Sequence, residues 1–159
     1  MKVKILFVCL GNICRSPAAE GVMNKFIIDN NLESYIQCDS AGTASYHVGS
    51  PADSRMKKIA SQKGFEILSR ARQINDQDLE IFDYIITMDD YNYRDVKSLD
   101  KNNLYNDKIF KFKDFCSDPS IREVPDPYYG GEDGFHKVIN ILEDGCKNLL
   151  SKIKKETLI

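Results

Sequence analysis

A chain of 159 residues with 42% hydrophobic content is long enough to bury a full core without staples. A formal net charge of −2 gives no electrostatic footing for nucleic acid, and no apolar run approaches a membrane span. Five cysteines, an odd number without framework spacing or a visible signal peptide, predict a reducing cytoplasm.

Val3–Val8 is apolar and β-branched and reads as a buried strand. The loop Cys9-Leu10-Gly11-Asn12-Ile13-Cys14-Arg15 follows, and Ser16-Pro17 fits an N-cap and first helical position for a helix to about Asn30. A loop between a strand and a helix start presents backbone N–H groups, with the positive end of the helix dipole behind them, to an anion. A bidentate Arg15 completes a phosphate site, and Cys9 shares the positive field that favours a thiolate nucleophile.

Further along, Tyr35–Asp39 reads as a strand that ends at Ser40-Ala41-Gly42, and a long loop carries Tyr46. Pro51 is expected to start a helix to about Lys63, closed by Gly64. A short helix at Asp76–Ile81, a strand at Asp83–Met88, a helix from Asp89 to Leu99 and a strand at Lys108–Lys111 complete the middle. The segment Val124-Pro125-Asp126-Pro127-Tyr128-Tyr129-Gly130-Gly131 is a stiff loop whose prolines hold Asp126 in one pose, as a general acid requires. In the last helix, from about Gly131 to Ile153, Phe135, Val138, Ile139, Leu142, Cys146, Leu149, Leu150 and Ile153 share the core face. The alternation predicts one α/β domain over residues 1–159. It is a three-layer sandwich with a central four-stranded parallel twisted sheet, helices on both faces and the site at the carboxyl ends of strands.

Cys9-Leu10-Gly11-Asn12-Ile13-Cys14-Arg15-Ser16-Pro17 together with Asp126-Pro127-Tyr128-Tyr129 resembles the low-molecular-weight protein tyrosine phosphatases. The resemblance extends to Asp39-Ser40-Ala41-Gly42-Thr43, Ala71-Arg72-Gln73-Ile74 and Met88-Asp89. It implies a Cys9 nucleophile, phosphoryl oxygens held by Arg15 and the amides from Leu10 to Ser16, and a Ser16 hydroxyl on the Cys9 sulfur. Asn12 would hold the loop, and Asp126 would act first as acid and then as base on a cysteinyl-phosphate. Tyr46, Tyr128 and Tyr129 would wall a slot deep enough for a phosphotyrosine ring. Ile13 is similar to the tyrosine-directed members, whereas phosphoarginine-directed ones usually carry Thr there. Ser69 stands where many members have a His that buttresses Asn12 and Ser16, which predicts a looser network and an altered pH dependence. Cys14 is implied as a reversible disulfide partner for Cys9 under peroxide.

The resulting expectation is a metal-independent tyrosine phosphatase without cofactor, acting on phosphotyrosine proteins, peptides and small aryl phosphates. Inorganic phosphate or vanadate would inhibit it, and it would be mainly monomeric with weak self-association. With no C-x2-C pair and only His47 and His136, zinc is not expected. Two other readings stand beside it. An arsenate reductase of the same fold needs relay cysteines, which residues 75–100 lack. A non-catalytic phosphotyrosine-binding module would not require both Cys9 and Asp126.

Overall fold

Burial is continuous from Ile5 to Cys9 of β1 (Val3–Cys9) and sets the architecture. Ile5, Phe7 and Cys9 point into one apolar cluster, and Leu6 and Val8 into another. A strand buried on both faces must be covered on both faces. The computed structural model describes residues 1–159. It orders the remaining elements as α1 (Arg15–Asp29), β2 (Ile36–Gly42), α2 (Ser54–Gln62), α3 (Asp76–Ile81), β3 (Tyr84–Thr87), α4 (Asp90–Leu99), β4 (Ile109–Lys111) and α5 (Glu132–Thr157). The four strands form one parallel sheet in the order β2-β1-β3-β4.

The chain leaves β1 to one side for β2 and later returns to the other side for β3. Strand order therefore reverses at β1, and the crevice at its carboxyl end is the place where such sheets bind ligands. Cys9 is the last residue of β1, in register with Gly42 at the end of β2.

The larger apolar cluster gathers residues of α1, α2 and α5 on one face of the sheet. The smaller holds Leu79 of α3, Val96 of α4 and the opposite faces of β1 and β3. Every residue expected on the core face of α5 is buried. That helix runs on to Thr157, beyond the predicted Ile153.

Two helix starts differ from expectation. Helix α1 begins at Arg15 rather than after Ser16, because the Ser16 hydroxyl is engaged by the Cys9 thiol instead of capping. Pro17 still falls within the first turn, where its missing N–H costs nothing. Pro51 does not begin α2: it bridges to Arg70, and the helix starts at Ser54 under an Asp53 cap. The end of α2 is as read, with Gly64 taking the left-handed φ of +87° that glycine accepts without strain. Strand β2 starts at Ile36, one residue after the predicted Tyr35, and runs through Ser40-Ala41 to Gly42, the segment expected to end it.

Candidate active site

The loop from Cys9 to Arg15 is tied down from outside by its carbonyls. Thr43 N–H donates to Cys9 O at 2.9 Å, Ala44 N–H to Leu10 O at 2.9 Å and Asp53 N–H to Ile13 O at 2.8 Å. Asn12 takes a left-handed φ of 57°, which asparagine tolerates better than most residues. Beneath the loop lies Gly42, where a Cβ would sit 2.6 Å from Leu10 O and 3.1 Å from Asn12 N. Only glycine lets the end of β2 approach so closely.

Around the Cys9 sulfur the hydrogen bonds form a chain. Cys9 Sγ and Ser16 Oγ are 2.9 Å apart, and Asn12 N–H donates to Sγ at 3.3 Å. Asn12 Nδ2 donates to Ser16 Oγ (2.8 Å) and to Ser40 Oγ (2.9 Å), while its Oδ1 accepts Arg72 N–H at 2.9 Å. Ser40 in turn donates to Glu20 Oε1 at 2.6 Å. The Asn12 amide is thus satisfied on both ends without a histidine, so the network expected to be loose is closed through Ser40 and Glu20. Burial raises the Glu20 pKa, opposed by the Ser40 hydroxyl, reinforced by Asp39 and opposed again by Ser69.

Arg15 is 3% exposed, and a charge buried to that degree needs partners. Its Nη1 donates to Asp89 Oδ2 at 2.6 Å and to Val124 O at 3.1 Å, and Nη2 lies 3.5 Å from Asp126 Oδ2. Burial works against the cation, but Cys9, Asp89 and Asp126 outweigh it and raise its pKa. Asp89 has a second task as N-cap of α4, where its Oδ1 accepts Asn92 N–H at 2.8 Å in a capping box. On the facing loop, Asp126 Oδ1 accepts Tyr128 N–H at 3.1 Å, and Val124 N–H donates to Met88 O at 2.9 Å.

The two loops enclose a slot of about 100 Å³ lined by Cys9, Leu10, Gly11, Ile13, Cys14, Arg15, Tyr46, His47, Asp126, Tyr128 and Tyr129. Every aromatic expected in the wall is there. Tyr128 and Tyr129 meet edge to face at 4.9 Å, with Tyr129 and Tyr46 largely exposed at the mouth. His47 joins them, its ring 6.1 Å from that of Tyr128. Asn12 and Ser16 lie underneath as supports rather than lining. A larger groove of about 610 Å³ runs between α1 and residues 64–69, but it holds neither the thiol nor Arg15.

The Cys14 thiol is buried beside Cys9, and burial, then Asp53, Cys9 and Asp126, push its pKa up. Burial also pushes up the thiols of Cys38, Cys116 and Cys146. No group of three His, Cys, Asp or Glu side chains is arranged to hold a metal ion. No helix is long and apolar enough to cross a membrane.

Sequence reasoning missed Asp89, Glu20, Ser40, Arg72 and His47 as parts of the site. Asp89 falls within the matched Met88-Asp89 but has no role assigned there, and Glu20 carries no local signal; their partners lie 74 and 20 residues away.

Residues 4–158 match the family model described as low molecular weight phosphotyrosine protein phosphatase. A crystal structure of a protein tyrosine phosphatase from Entamoeba histolytica superposes with a TM-score of 0.94 at 51% identity, covering 98% of this chain and 99% of that one. The low molecular weight protein-tyrosine-phosphatase of Bacillus subtilis is 40% identical over 97% of both chains. An arginine phosphatase from Drosophila, 30% identical, shares the fold at a TM-score of 0.89 over 97% of this chain and 98% of its own.

Proposed function

The chain belongs to the low molecular weight phosphotyrosine protein phosphatase family and is a protein tyrosine phosphatase, and we propose that it turns over through a cysteinyl-phosphate on Cys9. One observation carries this reading. The Cys9 sulfur receives the Asn12 N–H and is hydrogen-bonded to the Ser16 hydroxyl, at the mouth of a loop whose Arg15 is 3.5 Å from Asp126.

In the first step the phosphoryl group takes Arg15 and the loop N–H groups from Leu10 to Ser16. Those donors meet the charge that spreads over the equatorial oxygens. The Cys9 thiolate attacks phosphorus, the S–P bond forms, and the P–O bond breaks as Asp126 gives its proton to the departing phenolate oxygen. In the second step Asp126 takes a proton from water, the water oxygen bonds to phosphorus, and the thiolate leaves. The Ser16 hydroxyl and Asn12 N–H stabilise that thiolate on departure. Ordinary buried thiols do not compete: Cys14, with its raised pKa, stays protonated.

Substrate choice follows from depth. Tyr46, Tyr128 and Tyr129 give a ring apolar contact while its phosphate reaches the loop, and a phosphoserine side chain leaves those walls empty. Ile13 supports phosphotyrosine over phosphoarginine. Cys14 serves as the resolving thiol. After peroxide converts the Cys9 thiolate to the sulfenic acid, the Cys9 charge that helps keep Cys14 protonated is gone. The Cys14 sulfur then bonds to the Cys9 sulfur, and the thiol proton leaves with the sulfenic hydroxyl as water.

The test is phosphate release from matched phosphotyrosine, phosphoserine and phosphoarginine peptides at mildly acidic pH with EDTA present. Release from phosphotyrosine alone is expected. Preference for phosphoarginine overturns the substrate reading. Absence of release from all three, by folded and reduced protein, overturns the hydrolase and favours reductase or binding-module chemistry.

A further inference from the structure

Arg55 lies on the first turn of α2, about half exposed and outside the slot. Its contacts nevertheless join the two loops that carry the chemistry. On one side its Nε and Nη2 fork the Asp53 carboxylate at 3.1 and 2.8 Å, and Asp53 N–H is bonded to Ile13 O of the phosphate loop at 2.8 Å. On the other, the same Nη2 donates to Tyr128 O of the acid loop at 3.0 Å. The guanidinium also rests over the Phe135 ring at 4.6 Å and the Tyr128 ring at 5.5 Å. Tyr128 N–H is the donor that holds Asp126 Oδ1. A continuous path thus runs from Ile13 through Asp53, Arg55 and Tyr128 to the Asp126 carboxylate.

We infer that Arg55 is a positioning residue that fixes Asp126 and the Tyr128 wall relative to the phosphate loop, an inference that rests on the acid role assigned to Asp126. The acid loop has a second tie to the phosphate loop, the Arg15 contacts with Val124 O and Asp126. A bound phosphoryl group competes for Arg15, and Asp126 must then face the leaving oxygen. The Arg55 fork is untouched by that exchange, and it grips the chain beyond Asp126 while Met88 O holds Val124 before it. Arg55 therefore matters most in the step in which the acid acts. Lysine does not replace it, because a point charge cannot fork a carboxylate, hold a carbonyl and lie over two rings together.

The experiment measures kcat/KM for aryl phosphates spanning good to poor leaving groups, in the wild type, Arg55→Ala, Arg55→Lys, Asp126→Asn and Arg55→Ala/Asp126→Asn. kcat/KM is chosen because it reports transfer to Cys9. Arg55→Ala should lose roughly tenfold on the poorest leaving groups and less than about twofold on the best, a part of the effect of a positioned acid. Arg55→Lys should recover only part of that loss. In the Asp126→Asn background Arg55→Ala should add almost nothing, the non-additivity expected of residues that act as a unit.

A uniform loss across the series, or full multiplication of the two single effects, overturns the inference while leaving the acid role standing. A flat Asp126→Asn series overturns the acid role and this inference with it. The thermal stability of Arg55→Ala should fall by no more than in an ordinary single side-chain deletion, since the guanidinium is about half exposed although Asp53 is not. If that variant does not fold, the Arg55→Lys series carries the same comparison.

Discussion

Asp89 makes the shortest contact to the buried Arg15, and its removal gives a prediction with a magnitude. In Asp89→Asn the N-cap of α4 survives, since asparagine caps about as well as aspartate, but the negative charge 2.6 Å from Arg15 Nη1 is gone. Removing one partner of a buried pair costs about 3–5 kcal/mol. Val124 O and Asp126 remain near the guanidinium, so the low end, about 3 kcal/mol, applies. Asp89→Ala loses the cap as well and should fall about 1 kcal/mol further. Urea unfolding with and without phosphate is the assay. Phosphate supplies the missing anion, so it should raise the midpoint of Asp89→Asn more than that of the wild type. A variant within about 0.5 kcal/mol of wild type, the range of an ordinary surface change, with an equal phosphate shift, would refute the argument that Asp89 carries the Arg15 charge.

Three more tests address separate parts of the site. Glu20 has a folded pKa raised by burial, so the folded state binds the extra proton and stability falls as pH rises through that window. Glu20→Gln should lose that pH dependence in chemical unfolding above the ordinary glutamate range, and an unchanged slope would contradict it. Gly42→Ala should cut kcat/KM for aryl phosphates by roughly 100-fold, the scale of an ångström misplacement, because a Cβ 2.6 Å from Leu10 O must displace the loop. Wild-type activity in that variant would show that the loop tolerates the shift. Cys14→Ser should remain active but lose dithiothreitol-reversible recovery after peroxide; unimpaired recovery would remove Cys14 as the resolving thiol.

The parts legible in the sequence were those encoded by neighbours. The apolar run before Cys9, the prolines around Asp126 and the 3.6-residue spacing in the last helix each carry their meaning within a few positions. The slot was legible only because the family resemblance paired Tyr46 with Tyr128 and Tyr129, more than eighty residues apart. What stayed hidden was competition between partners. Ser16 followed by Pro17 has the chemistry of a cap, but the Cys9 thiol claims its hydroxyl. Pro51 has the chemistry of a helix start, but pairing with Arg70 keeps the chain extended until Asp53 caps α2. Ser69 read as a gap where a histidine is usual. The closure through Ser40 and Glu20 needs β2 and α1 side by side, which only the folded sheet supplies.

Rapid acid quench during turnover of a phosphotyrosine peptide, followed by mass analysis of the tryptic peptide that contains Cys9, tests the central claim most directly. One phosphoryl group on Cys9 in the wild type, accumulating when Asp126 is replaced by Ala and a good leaving group is used, is the predicted result. Steady phosphate release from wild type and from Cys9→Ser alike, with no phosphorylated Cys9 peptide at any time, would contradict it.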